Sequence, residues 1–130
     1  MASELKVDKF TGVTTAGSIS VTGEGNSTTT NLQQGLAKCW VNANMSGTAG
    51  IYDSFNTASL TDSAVGKAVV VFTTAMSNAN YSVSLAIGEN FSEPNINSTS
   101  TANYEVWVYD EGASAYKDVT THSSVLGDSA

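Results

Sequence analysis

The chain has 130 residues, 41% of them hydrophobic and only 13% charged, and its twelve acidic residues against five lysines give a formal net charge of −7. With no arginine and no basic patch it is not equipped to neutralise a phosphate backbone, which sets nucleic acid aside as a partner and disfavours an anionic membrane surface. No run reaches transmembrane length, so membrane insertion is not expected, and the length suits one domain with a terminal arm.

Ser, Thr, Asn and Gly occupy the places that charges usually take, a composition that suits an all-β protein working outside a cell. The opening MASELKVDKF lacks the apolar core of a signal peptide, so release by lysis rather than secretion is expected. Over residues 1–10, Leu5, Val7 and Phe10 stand among Glu4, Lys6, Asp8 and Lys9, which predicts a short amphipathic strand. A lone strand of that size cannot bury itself, so Leu5, Val7 and Phe10 are candidates for docking an N-terminal arm on its own domain, on sister chains, or on another protein that offers a groove or sheet edge. Residues 11–34 are rich in Thr, Ser and Gly and read as a stalk or linker. Within it Ile19 and Val21, two apart, would share one face of a short strand. Three chains winding such sparse apolar residues about a common axis would bury what one chain cannot, so both are candidate subunit contacts.

From Gly35 the strand signals strengthen: LAKCWVNA, AGIYDSFN, KAVVVFTTAM, YSVSLAI, ANYEVWVYD and SAYKDVTTHSSVLG. Six strands with turns at Ser46-Gly47, Asp62-Ser63, Ser77-Asn78 and Glu111-Gly112 predict an antiparallel, jelly-roll-like β-sandwich over residues 35–130. Cys39, alone in the chain, reads as a small buried hydrophobe rather than a reactive thiol. Alternation puts Tyr81, Val83, Leu85 and Ile87 on one face of the fourth run and polar or small residues on the other. In the third run Ala68, Val70 and Phe72 make one apolar face, and Val69 and Val71 make the opposite face apolar too. Such a strand is either central in a two-sided core or pressed against a neighbouring subunit. The fifth run has Tyr104, Val106 and Val108 on one side and Glu105, Trp107 and Tyr109 on the other. Residues 88–101, with Phe91 and the single proline Pro94, read as a long loop.

No constellation points to catalysis. The single histidine, His122, has no nucleophile-elbow serine to serve and reads as a strand residue; its other reading, three copies meeting around a metal on a trimer axis, rests on one histidine per chain. The acid pairs Glu89 with Glu93 and Asp110 with Glu111 fall in loop or turn stretches, where carboxylates are solvated, and their spacing matches no calcium loop. Gly23-Glu24-Gly25 lacks the context of a phosphate cradle. An enzyme is not expected, and no cofactor or metal is expected either. Aromatic side chains beside Asn and Asp are what sugar-binding surfaces use. Core or interface packing is the preferred reading for Trp40 and Phe55; for Phe91, Trp107, Tyr109 and Tyr116 packing and recognition are both open, and these four, with Asn95 and Asn97, are the candidates for recognition.

The phrases LKVDKFTG, GLAKCWVN, YDSFN, FTTAMSNANYSV and the closing VLGD together resemble the globular module that closes many tail-fibre-like structural proteins of tailed phages, especially marine ones. The resemblance implies a homotrimeric virion protein on the exterior of the particle. Its N-terminal arm would anchor it to another virion protein, of the tail or the capsid, through Leu5, Val7 and Phe10, and a β-sandwich tip would face outward. Related modules carry polar residues where this chain has Val69 and Val71, and that departure favours an intersubunit contact there. The implied role is a short fibre contributing to host adsorption, with a surface glycan or protein as receptor. The alternative is a capsid or tail decoration protein that binds no receptor.

Overall fold

In the computed structural model of the protein, residues 4–13, 19–23, 28–90 and 92–128 are described. The chain divides into two compact units, Met1–Leu36 and Ala37–Ala130. In the first, β1 (Ser20–Thr22) pairs antiparallel with β2 (Thr29–Asn31), and the single-turn helix α1 (Leu32–Gly35) follows directly. The Asn31 side chain caps that turn by accepting the Gln34 N–H at 3.1 Å, satisfying one of the donors that a helix start leaves open. A hairpin therefore stands inside the stretch read as a stalk. Val21 lies on β1 and is exposed, while Ile19 precedes the strand and is half-buried. The strand expected over residues 1–10 does not appear in residues 4–10, where Leu5, Val7 and Phe10 are exposed. No described strand pairs with that segment, and a single extended segment without a partner has no ladder to hold it.

The second unit contains β3 (Cys39–Asn44), β4 (Gly50–Phe55), β5 (Thr57–Ala64), β6 (Lys67–Phe72), β7 (Ser82–Ile87), β8 (Ser92–Thr99), β9 (Asn103–Asp110), β10 (Ala115–Tyr116) and β11 (Thr120–Leu126). They build two all-antiparallel sheets. One has the order β4-β3-β11-β7; in the other β5, β6, β9 and β8 follow one another, and β10 continues the edge of β9 beyond the start of β6. Two strands go beyond the expectation. The segment read as a long loop contains β8, and β5 runs through Asp62-Ser63, so the turn falls instead at Val65-Gly66. The final predicted run is divided into β10 and β11.

The chain passes from one sheet to the other at Asn56, the single residue between β4 and β5, which adopts φ 56°. Asparagine tolerates this left-handed region, and here its side chain fixes the corner. Nδ2 donates to the carbonyls of Lys38 and Thr74 at 2.9 and 3.1 Å, and Oδ1 accepts the Thr74 N–H at 2.7 Å.

Period-two burial gives each sheet one inward face. Cys39, Val41 and Ala43 of β3 and Val125 of β11 meet Ala68, Val70 and Phe72 of β6 and Tyr104, Val106 and Val108 of β9 in a single core. Cys39 is fully buried, with Sγ 3.3 Å from the Thr57 hydroxyl, and burial pushes its thiol pKa up. The fully buried Tyr104 crosses between the sheets, its hydroxyl 2.5 Å from that of Ser123 on β11. Burying a hydroxyl is tolerable only when it is hydrogen-bonded, so this contact also fixes how the two sheets align.

Burial is the leading cause that raises the Tyr104 phenol well above its ordinary value of 10.0, and the same cause raises Tyr81 and Cys39. Above pH 10 the unfolded chain therefore loses phenol protons that the folded chain keeps, and stability must fall as pH rises. Urea midpoints measured from pH 8 to pH 12 are expected to decline as pH rises through the ordinary thiol value of 9.0, when the Cys39 proton is lost from the unfolded chain alone, and more steeply above the phenol value of 10.0. Tyr104→Phe is expected to cost about 1 kcal/mol at neutral pH, by orphaning the Ser123 hydroxyl, and to make the alkaline decline shallower. An unchanged decline in that variant would show that Tyr104 ionises freely in the folded state.

Candidate functional site

The outward face of the β5-β6-β9-β8 sheet carries the most concentrated group of recognition-type side chains. Strand β9 places Glu105, Trp107 and Tyr109 outward because Tyr104, Val106 and Val108 take the core. Its neighbours set the rows across the sheet. Asn95 on β8 and Lys67 on β6 both pair with Trp107, and Glu93 on β8 and Tyr116 on β10 both pair with Tyr109. One row further, Ser98 and Val69 flank Glu105. Pro94 is accepted within β8 because this is the outermost strand of its sheet, where a missing ladder donor costs least.

Glu93, Pro94, Asn95, Asn97, Trp107, Tyr109 and Tyr116 line an open trough of about 410 Å³. The rings brace one another. Tyr116 stands edge-on to Trp107 at 5.6 Å between centroids and to Tyr109 at 5.5 Å, with interplanar angles of 82° and 84°. Such edge-to-face contacts are favourable beyond the area they bury, so the rings are held in place before any ligand arrives. The Lys67 ammonium lies 4.0 Å from the centroid of the Trp107 ring and 4.3 Å from that of Tyr116. That cation–π arrangement ties β6 to β9 and β10 on this face. Tyr109 and Tyr116 remain 39% and 37% exposed, enough to present ring surface to a partner.

Electrostatically the face is acidic. The buried indole N–H of Trp107 makes no hydrogen bond of good geometry among the described residues, yet it lies near enough to Glu105 to favour the charged carboxylate. With the Asn97 amide donating to Glu105 at 2.5 Å, and the Lys67 charge nearby, the Glu105 carboxyl is held below the usual carboxylate range. At one end of the sheet Lys117 is hydrogen-bonded and ion-paired to Glu89 and lies 3.6 Å from Asp110. These partners raise its pKa, the Glu89 contact most. Asp110 also accepts the Ala113 N–H at 3.0 Å, the leading cause that lowers its own pKa. Glu89 and Asp110 are thus occupied in bracing the connections around the site, and Glu93 is the carboxylate that lines the trough. Among the described residues no group of three or more His, Cys, Asp or Glu side chains is placed to hold a metal ion.

The structure brings Asn95, Asn97, Trp107, Tyr109 and Tyr116 together, although they come from three separate stretches of sequence. Phe91 lies outside the described residues. Val69 and Val71, half-buried, share the outward face with the trough. Trp40 and Phe55 are not core residues: they pair across β3 and β4 on the outward face of the other sheet and are 38% and 54% exposed. A strand face turned away from the core is open whatever its side chains. His122 is exposed on that same sheet, between Asn42 and Ala86. Glu93, Pro94 and Lys67 are site residues that aromatic content alone does not reveal. The signal for Lys67 is its parity with Val69 and Val71, which puts it on their face.

No protein-family model, no curated protein and no solved structure matches the chain.

Gly66 sits at the corner that lets β6 and β10 share the edge of β9. It adopts φ +69°, its N–H donates to Asp118 at 2.5 Å, and its carbonyl accepts the Val108 N–H at 2.8 Å. A Cβ there would fall 2.6 Å from the Lys117 nitrogen and the Val108 oxygen, and 2.9 Å from Tyr116 Cβ. Strain from the positive φ and from overpacking each cost on the order of 1–3 kcal/mol, so Gly66→Ala is expected to lower unfolding stability by about 3 kcal/mol in urea titration. It should also loosen Tyr116 from its neighbouring rings. A loss below about 1 kcal/mol would show that the corner relaxes freely.

Proposed function

We propose that the chain is a virion structural protein of a tailed phage: a short homotrimeric fibre or tip, held to another particle protein by its N-terminal arm and contributing to host adsorption. The phrases shared with phage fibre modules support the virion reading, and the exposed Leu5, Val7 and Phe10 supply apolar groups for an arm to dock with. The nearly all-β, antiparallel two-sheet build suits an exterior module. It shares with the jelly roll its two-sheet form and the pairing of its first and last strands, β3 with β11, while its hairpins β3-β4, β5-β6 and β8-β9 set it apart.

The trough carries the adsorption reading. It collects on one rigid sheet face five residues of the kind that recognise a receptor, with partly exposed rings and amides and no pair of lining carboxylates for acid–base hydrolysis. These features support a binding role for the trough. In the trimer, Val69 and Val71 would seat a neighbouring subunit beside the trough, since they occupy the same face one and two rows along. The host ligand would then meet the sheet near a subunit boundary.

Native mass measurement is expected to give three copies. Virions assembled with Trp107→Ala are expected to adsorb to host cells about tenfold more slowly than unaltered particles, while remaining intact and equally numerous. Unchanged adsorption, with the chain still in the particle, would instead support the decoration protein that binds no receptor.

A further inference from the structure

Building on the adsorption reading, we infer that the trough takes an uncharged glycan, and that anionic polysaccharides and cationic ligands are both excluded from it. Aromatic rings beside a carboxylate would ordinarily suit a cation. Here that place is filled from within, because the Lys67 ammonium already lies over Trp107 and Tyr116. With that position occupied, an incoming cation would have to compete with a tethered one.

An anion fares no better. No cationic side chain lines the trough; Lys67 is engaged with the rings, and Lys117, next to Tyr116 in the chain, with Glu89 and Asp110. Glu93 lines it, and Glu105, one row away, is kept ionised by the Trp107 indole and the Asn97 amide. Added to a net charge of −7, these carboxylates repel uronate, sialate or sulfate groups.

What remains suits a neutral sugar. Tyr109 and Tyr116 expose ring surface against which the C–H face of a pyranose packs, and the rings are already fixed edge-to-face, so little order is lost on binding. Asn95 is exposed and its amide both donates and accepts. Asn97 uses its N–H on Glu105 and keeps its carbonyl oxygen as an acceptor for a hydroxyl. Glu93 offers a further acceptor, so hydroxyls are matched by acceptors and by the Asn95 donor. The surface is open rather than enclosed, which fits a segment of a chain polymer better than a single free sugar.

The full chain, applied to an array of neutral and acidic oligosaccharides in 50 mM and in 500 mM salt, tests this. The expected result is binding to neutral glycans that is insensitive to salt, about tenfold weaker in Tyr116→Ala and weakened in Asn95→Ala. Asn95 is exposed, so its truncation leaves the fold intact and separates lost contacts from lost structure. Binding only to acidic glycans, abolished by salt, would overturn the glycan class while leaving adsorption standing. Binding to host cells that depends on Tyr116, with none to the array, would overturn the carbohydrate ligand and likewise leave adsorption standing. Absence of both would overturn the adsorption reading and this inference with it.

Discussion

Strand β9 is the element on which the rest depends, because the two-residue alternation of a strand makes it serve two purposes at once. Tyr104, Val106 and Val108 fill the core while Glu105, Trp107 and Tyr109 make the outward face. A slip of one residue would exchange those sets, burying a carboxylate and exposing the tyrosine that links the sheets. The register is therefore held from both sides, by β8 along one edge and by β6 and then β10 along the other. Gly66 makes the second edge possible, since no side chain fits where the start of β6 meets the end of β10. The same pairings that stabilise β9 also bring Asn95, Lys67 and Tyr116 to its aromatic residues.

Charge is spent locally on this protein. With few basic groups, each lysine near the trough is committed: Lys67 to aromatic faces, Lys117 to Glu89 and Asp110. These contacts are exposed enough that their worth lies in position rather than in stability. What they leave is a rigid, acidic, aromatic surface on a chain of low charge density, a combination that favours neutral partners.

Much of the fold was legible because strong strands announce themselves. The alternation in ANYEVWVYD and in YSVSLAI assigns inward and outward faces that the structure reproduces. The two strands that escaped notice are outer ones. TASLTDSA, which forms β5, has Leu60 as its one large apolar residue, and SEPNINST, which forms β8, carries a proline and two asparagines. Their backbone pairing is supplied by the neighbour rather than called for by their own composition, and an outer strand can keep polar residues that a central one cannot. Reading β8 as a loop did not hide Asn95 and Asn97 as candidates, but it concealed why they face Trp107. Of the core or interface packing expected for Trp40 and Phe55, the core is excluded: large apolar side chains suggest burial, and only the parity with Cys39 and Val41 shows that Trp40 must point outward.

The chain has two tryptophans, and the sheets place them on opposite outward faces, Trp107 beside the trough and Trp40 across from Phe55. Their two indole N–H signals in an NMR spectrum therefore report the two faces separately. Titrating the protein with polysaccharide extracted from the host surface is predicted to shift the Trp107 signal and leave that of Trp40 in place; movement of Trp40 with Trp107 unchanged would put recognition on the other sheet and contradict the account.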